Sequence, residues 1–141
     1  MTAKECLRQI GTMDRRISLD VRRLEELRQL SEKISGGGFE RSFNPNRAQE
    51  APFVKTMDRV MDLEQKITKE IDDYIAFKEQ ALEMIRRVAD FDQREVLEMR
   101  YVRRMPWEKI AADMRYSIRW VYVLHSRALQ AFEQIMAEKS T

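Results

Sequence analysis

The sequence predicts an all-α protein: a long helical hairpin or coiled coil over residues 3–90, followed by a helix-turn-helix over residues 91–137. Three observations carry this expectation. Apolar residues recur every three or four positions through two long stretches. Only three prolines and four glycines interrupt 141 residues that are 43% hydrophobic and 35% charged. No run of alternating apolar and polar residues bounded by turn signals suggests a strand.

The first stripe runs from Ala3 to Ile34 through Leu7, Ile10, Met13, Ile17, Val21, Leu24, Leu27 and Leu30. Arg15, Arg16, Arg22, Arg23, Glu25 and Glu26 fill the gaps, as on an amphipathic helix. Gly36, Gly37 and Gly38 are expected to end it, since successive glycines sacrifice helix propensity. A loop is expected over about residues 35–53, with Pro45 and Pro52 barring helix continuation. A second stripe begins near Phe53 and includes Met57, Val60, Met61, Ile67, Ile71, Tyr74, Ile75, Leu82, Ile85 and Val88. It holds for roughly five heptads, a span on the order of 50 Å at 1.5 Å per residue. Such stripes need a partner, either each other in an antiparallel hairpin or a second chain, and spacing leaves both open.

After Asp90 the segments shorten. "DQREVLEMRYV" sets Val96, Leu97, Tyr101 and Val102 on one side. "PWEKIAADM" places Pro106 at a favourable first helical position, with Trp107, Ile110, Ala111 and Met114 on one face. "RY" is the turn, Ser117 the expected N-cap, and residues 118–137 the last helix. Two helices joined by so short a turn have the layout of a helix-turn-helix.

Val121, Leu124 and Ala128, continuing to Phe132 and Ile135, form the inner stripe of the last helix. Ile118, Arg119, Tyr122, Val123, Ser126 and Arg127 must then point outward. Those side chains suit a duplex groove. Arg119 can fork two hydrogen bonds to a guanine edge, Tyr122 and Ser126 can donate to phosphate or base, and Ile118 and Val123 can meet a thymine methyl. Arg100, Arg103, Arg104 and Lys109 are expected at phosphates, and Ser117 completes the DNA-facing set. From Arg100 to Arg127 seven basic residues stand against Glu108 and Asp113, in a chain whose net charge is only +2. The second long stripe is slightly acidic, so the positive patch is local.

The stretch "DQREVLEMRYVRRMPWEKIAADMRYSIRWVYVLHSRAL" resembles region four of bacterial sigma factors. It is more similar still to small phage and prophage proteins, the RinA and ArpU type late transcription regulators and an uncharacterised relative. That relative's signature runs "RY…WEEIAxxMxYSxRxVYRLHxxAL". The resemblance covers residues 91–132. Arg94, Glu95, Val96, Leu97, Arg100 and Tyr101 match the first helix of the pattern. Trp107, Glu108, Ile110, Ala111 and Met114 match the second. Tyr116, Ser117, Arg119, Val121, Tyr122, Leu124, His125, Ala128 and Leu129 match the third. The resemblance implies a sigma-region-four-like helix-turn-helix and phage-linked transcription regulation. The chain departs from the pattern at Arg115, where glycine is common, and at Val123, where the relatives are often basic. Arg115 must therefore adopt a left-handed conformation or open the turn.

Trp120 adjoins the inner stripe and is expected to pack against another helix, Trp107 to be core, and His125 to be a structural, hydrogen-bonding histidine. Met57, Met61, Met84, Met99 and Met114 are expected as core filling. No second histidine or cysteine pair offers a metal site, no cofactor motif is present, and no nucleophile, histidine and acid set converges. "GGG" lacks the flanking strand and the lysine of a phosphate loop. An enzyme is therefore not expected. Cys6 is the one cysteine, and no apolar run reaches membrane-spanning length or forms a signal-peptide core. The expected setting is the cytoplasm of a bacterial host. The expected partners are double-stranded DNA, with RNA polymerase as a further candidate, and a second copy in a homodimer or higher oligomer. Two rival readings stay open: a DNA-packaging factor like a small terminase subunit, and a coiled-coil interaction module that contacts RNA polymerase.

Overall fold

The computed structural model describes residues 1–40 and 50–140, and every regular element among them is helical. Helix α1 spans Ala3–Glu40, α2 Glu50–Arg86, α3 Phe91–Leu97, α4 Trp107–Met114 and α5 Ile118–Ser140. A π-helical turn, Glu98–Val102, extends α3. None of these helices is long and apolar enough to cross a membrane.

Helix α1 starts on a reciprocal cap. The Glu5 amide donates to Thr2 Oγ1 at 3.2 Å, and the Thr2 amide donates to the Glu5 carboxylate at 3.1 Å. Its far end corrects the expected boundary, because the helix runs through Gly36–Gly38 to Glu40. Glycine costs about 1 kcal/mol per residue in a helix but still donates and accepts the ladder bonds. No described glycine uses positive φ. Pro52 lies in the first turn of α2, where a missing N–H removes no helical bond. Pro45 lies outside the described residues.

The chain divides into two compact units, one formed by Met1–Asp14 with Asp73–Thr141, the other by Arg15–Asp72. In the second unit residue numbers run in opposite directions along α1 and α2. Ser31 Oγ donates to Met57 Sδ at 3.1 Å, Arg28 pairs with Glu64 at 2.9 Å, and Lys66 lies 3.4 Å from Asp20. Leu24, Val60 and Ile67 are buried between them, with Leu27 and Leu63 partly so. Asp20, a gap residue in the apolar spacing, is buried as well, at 2% exposure. The Glu70 carboxyl, then Lys66 and Arg23, hold Asp20 below its usual carboxylate range. Burial, then the Asp20 charge, pushes Glu70 up. The two carboxyls are thus driven apart, Asp20 toward its charged form and Glu70 toward its neutral one.

The second stripe separates into two faces. Val60, Ile67, Ile85 and Val88 are buried, whereas Met57, Met61, Ile71 and Ile75 are exposed, which corrects the expectation of Met57 and Met61 as core.

The first unit has two apolar clusters. Ala3, Cys6 and Leu7 of α1 pack with Met84, Ile85 and Val88, with Leu97 and Tyr101, and with Ala128, Phe132 and Ile135 of α5. Val96, Ile110, Ala111, Val121 and Leu124 form the other, flanked by Met99, Met105, Trp107 and Met114. This second cluster holds α4 and the first half of α5 in place.

Candidate nucleic-acid interface

Local sequence accounts for the approach to α4 and α5. Asp90 caps α3, its carboxylate accepting from the Gln93 amide at 3.2 Å. In the π turn the Arg103 amide bonds back to the Glu98 carbonyl at 3.0 Å, and Arg104 follows at φ 56°. Pro106 is extended, at φ −68° and ψ 153°, and serves as the N-cap of α4, one position earlier than expected.

The turn between α4 and α5 closes with Arg115 at φ 60° and ψ 38°, the left-handed alternative of the two left open by its sequence. The Tyr116 amide reaches the Ala111 carbonyl at 3.1 Å, and the Arg115 amide reaches Ala112 at 3.2 Å. This pair of bonds is the one a C-terminal glycine ordinarily makes, and a side chain there costs roughly 1 kcal/mol. Ser117 then opens α5, its Oγ accepting from the Trp120 amide at 3.1 Å. The Tyr116 hydroxyl donates to Asp92 at 2.6 Å, which ties the turn to α3 and raises the phenol's pKa.

At the start of α4, Trp107 stands in a box of aromatic rings. Tyr101 Oη and His125 Nε2 are 2.6 Å apart, and the Trp107 ring meets the imidazole edge-on at 4.7 Å. The Arg100 guanidinium lies 4.4 Å from the centre of Trp107, and its Nη1 donates to the Met105 carbonyl at 3.0 Å. Burial, then Lys4, Arg100 and Arg8, pushes His125 down to about 4. Burial likewise pushes the Tyr101 phenol up, so both groups are neutral near pH 7 and one proton joins them. His125 is thus a structural hydrogen-bonding residue, as its place beside Leu124 suggested.

The residues assigned to DNA from sequence fall into two groups. Ser117, Ile118, Arg119, Tyr122, Val123, Ser126 and Arg127 all face solvent on α5, with Lys109 and Arg103 also exposed. Ser117 is at the same time committed to capping. The other two have partners within the unit, Arg104 while still exposed. Arg100 is half-buried in the aromatic box, and Arg104 pairs with Asp14. Their charges serve the unit's own packing, a role that charge counting along the sequence does not separate from phosphate binding.

Trp120 corrects its expected place. It is 39% exposed, with the Arg127 guanidinium 5.4 Å from its ring centre. Tyr122 is 48% exposed and leans edge-on against Trp107 at 5.3 Å. Tyr116, Ile118 and Val123 are exposed too, so the surface is aromatic and apolar as well as basic.

A family model described as "Protein of unknown function (DUF1492)" matches residues 32–133, and the chain belongs to that family. No curated protein and no solved structure matches it.

Proposed function

We propose that this member of the DUF1492 family is a sequence-specific double-stranded DNA-binding protein that regulates phage or prophage transcription. In this reading α4, the Arg115 turn and α5 are a sigma-region-four-like helix-turn-helix, carried on a long helical hairpin of α1 and α2. The observation that carries the proposal is the outward set on α5. Arg119 stands in the first turn of a capped helix with Tyr122, Ser126 and Arg127 beside it, all exposed. The supporting layer lies opposite, with Val121, Leu124 and Ala128 buried.

The roles follow from chemistry. Arg119 forks two hydrogen bonds to a guanine edge, and Ile118 and Val123 meet thymine methyls. Lys109 and Arg103 hold phosphates and give the binding its salt dependence. Arg100 is left out of this set because its guanidinium is engaged at Trp107 and Met105.

The test is fluorescence anisotropy on duplexes selected from a random pool. Arg119→Ala is expected to weaken the selected site by roughly 5- to 150-fold, the range for one lost bidentate base contact, and to relax preference at one base pair. Lys109→Ala is expected to weaken all duplexes alike and to reduce the salt slope by about 1. Equal loss on every sequence in Arg119→Ala would remove the base-reading role.

A second reading has its own support. Tyr116, Ile118, Trp120, Tyr122 and Val123 expose large apolar surface within eight residues, which suits a protein partner such as RNA polymerase. Binding of RNA polymerase that survives Arg119→Ala but is lost in Trp120→Ala would favour it.

A further inference from the structure

We infer that the outer face of α2 is where two copies of this chain pair, antiparallel, about a two-fold axis beside Lys66. The inference stands apart from the DNA reading and does not depend on it.

Helix α2 carries two heptad seams displaced by one residue. The inner seam, Val60, Leu63 and Ile67, packs with Leu24 and Leu27 of α1. The outer seam is Met57, Met61, Glu64, Thr68, Ile71 and Ile75, at successive spacings of four, three, four, three and four residues. Its four large apolar side chains are 36%, 55%, 39% and 48% exposed in that order, Met57 least so because its Sδ also accepts from Ser31 of α1. A seam of alternating three- and four-residue steps is what a helix presents to a partner helix. A face meant for water gains nothing from methionine and isoleucine at those positions.

The order of side chains says which partner fits. Apolar, apolar, polar, polar, apolar, apolar reads the same in both directions, and so does the series of spacings. A two-fold contact demands such self-complementarity. Reversing a second copy about residue 66 sets Met61 against Ile71 of that copy and Met57 against Ile75. Glu64 then faces Thr68, whose hydroxyl already donates to the Glu64 carbonyl of its own helix at 2.9 Å, so no second carboxylate meets the first. A parallel, in-register pair would instead bring Glu64 against Glu64. Arg28 of the same chain already neutralises Glu64 at 2.9 Å, so the polar centre enters the contact as an ion pair. The antiparallel arrangement also brings Asp58 toward Asp72 at the rim, a repulsion that salt screens.

Sedimentation equilibrium of the full chain without DNA tests the proposal. A dimer is expected, tightening as salt rises, whereas duplex binding weakens with salt. Met61→Asp and Ile71→Asp are each expected to raise the dimer dissociation constant at least about tenfold, as unpaired charges at a dry contact do, with the helical circular dichroism unchanged. Orientation is read in a Cys6→Ser background by mixing Glu64→Cys and Thr68→Cys chains under mild oxidation. Disulfides joining 64 to 68 are expected. A monomer at tens of micromolar, a dimer indifferent to Met61→Asp, or predominant 64-to-64 disulfides would each overturn it. A dimer that binds no duplex would leave this pairing intact and remove the DNA proposal instead.

Discussion

At the scale of single residues, Arg115 and His125 each make a measurable difference. Arg115 occupies a left-handed position that glycine takes without a Cβ penalty. Arg115→Gly is expected to stabilise the chain by about 1 kcal/mol, the steric cost of the left-handed conformation, partly offset by the freedom glycine adds to the unfolded chain. A rise in the urea midpoint at unchanged slope would register it. His125 is held neutral, with its folded pKa near 4 against 6.5 in an unfolded chain. Between these values the unfolded state binds more protons, so stability falls as pH drops from about 6.5 to 4. Because the ring is only half-buried, the discounted loss is about 1–2 kcal/mol. Melting curves over that range should show the slope in the natural chain and a smaller one in His125→Gln. The serine cap and the inward histidine were both legible in the sequence, since each follows from position relative to one apolar stripe. Trp120 was not legible. It sits at the edge of that stripe, and its burial depends on whether another helix covers the flank, which local spacing does not encode.

At the scale of elements, periodicity carried the helices and missed how they end or deform. "EMRYV" is too short for its apolar spacing to separate an α-helix from the wider π turn, so nothing local announced the turn that leads to Arg104. The glycine triplet lowers propensity without forbidding helix, and the ladder continues past it. In α2 one broad apolar stripe concealed two seams, because neighbouring heptad positions differ by only about 100° around the helix. The inner stripe of α5 was read correctly down to Ile135, and its energetics can be checked at Phe132, which is fully buried in the cluster that α1, α2, α3 and α5 build together. Phe132→Ala is expected to destabilise by about 3–5 kcal/mol. A loss below 1 kcal/mol in a denaturant titration would contradict the packing described.

At the scale of the whole molecule, sequence placed a boundary at residue 90, where the apolar period changes. The compact units follow contacts instead, and the first turns of α1 belong with α3 to α5. Ala3, Cys6 and Leu7 cover Leu97, Tyr101 and Phe132, a non-local arrangement that no window of sequence contains. Removing residues 1–14 is therefore expected to expose that cluster and lower the melting temperature of the remaining chain. A truncated chain as stable as the whole would disprove this dependence. The outward basic and aromatic face of α5 was largely legible, whereas the internal engagement of Arg100 and Arg104 was not, because charge counts say nothing of where a guanidinium points.

The central claim is that this face reads duplex DNA. Selection of bound duplexes from a random pool, followed by titration of the enriched sequence against salt, tests it most directly. The account predicts an enriched motif, repeated with two-fold symmetry, whose affinity falls linearly with the logarithm of salt concentration and drops in Arg119→Ala. No enrichment, together with no duplex binding even at low ionic strength, would contradict it.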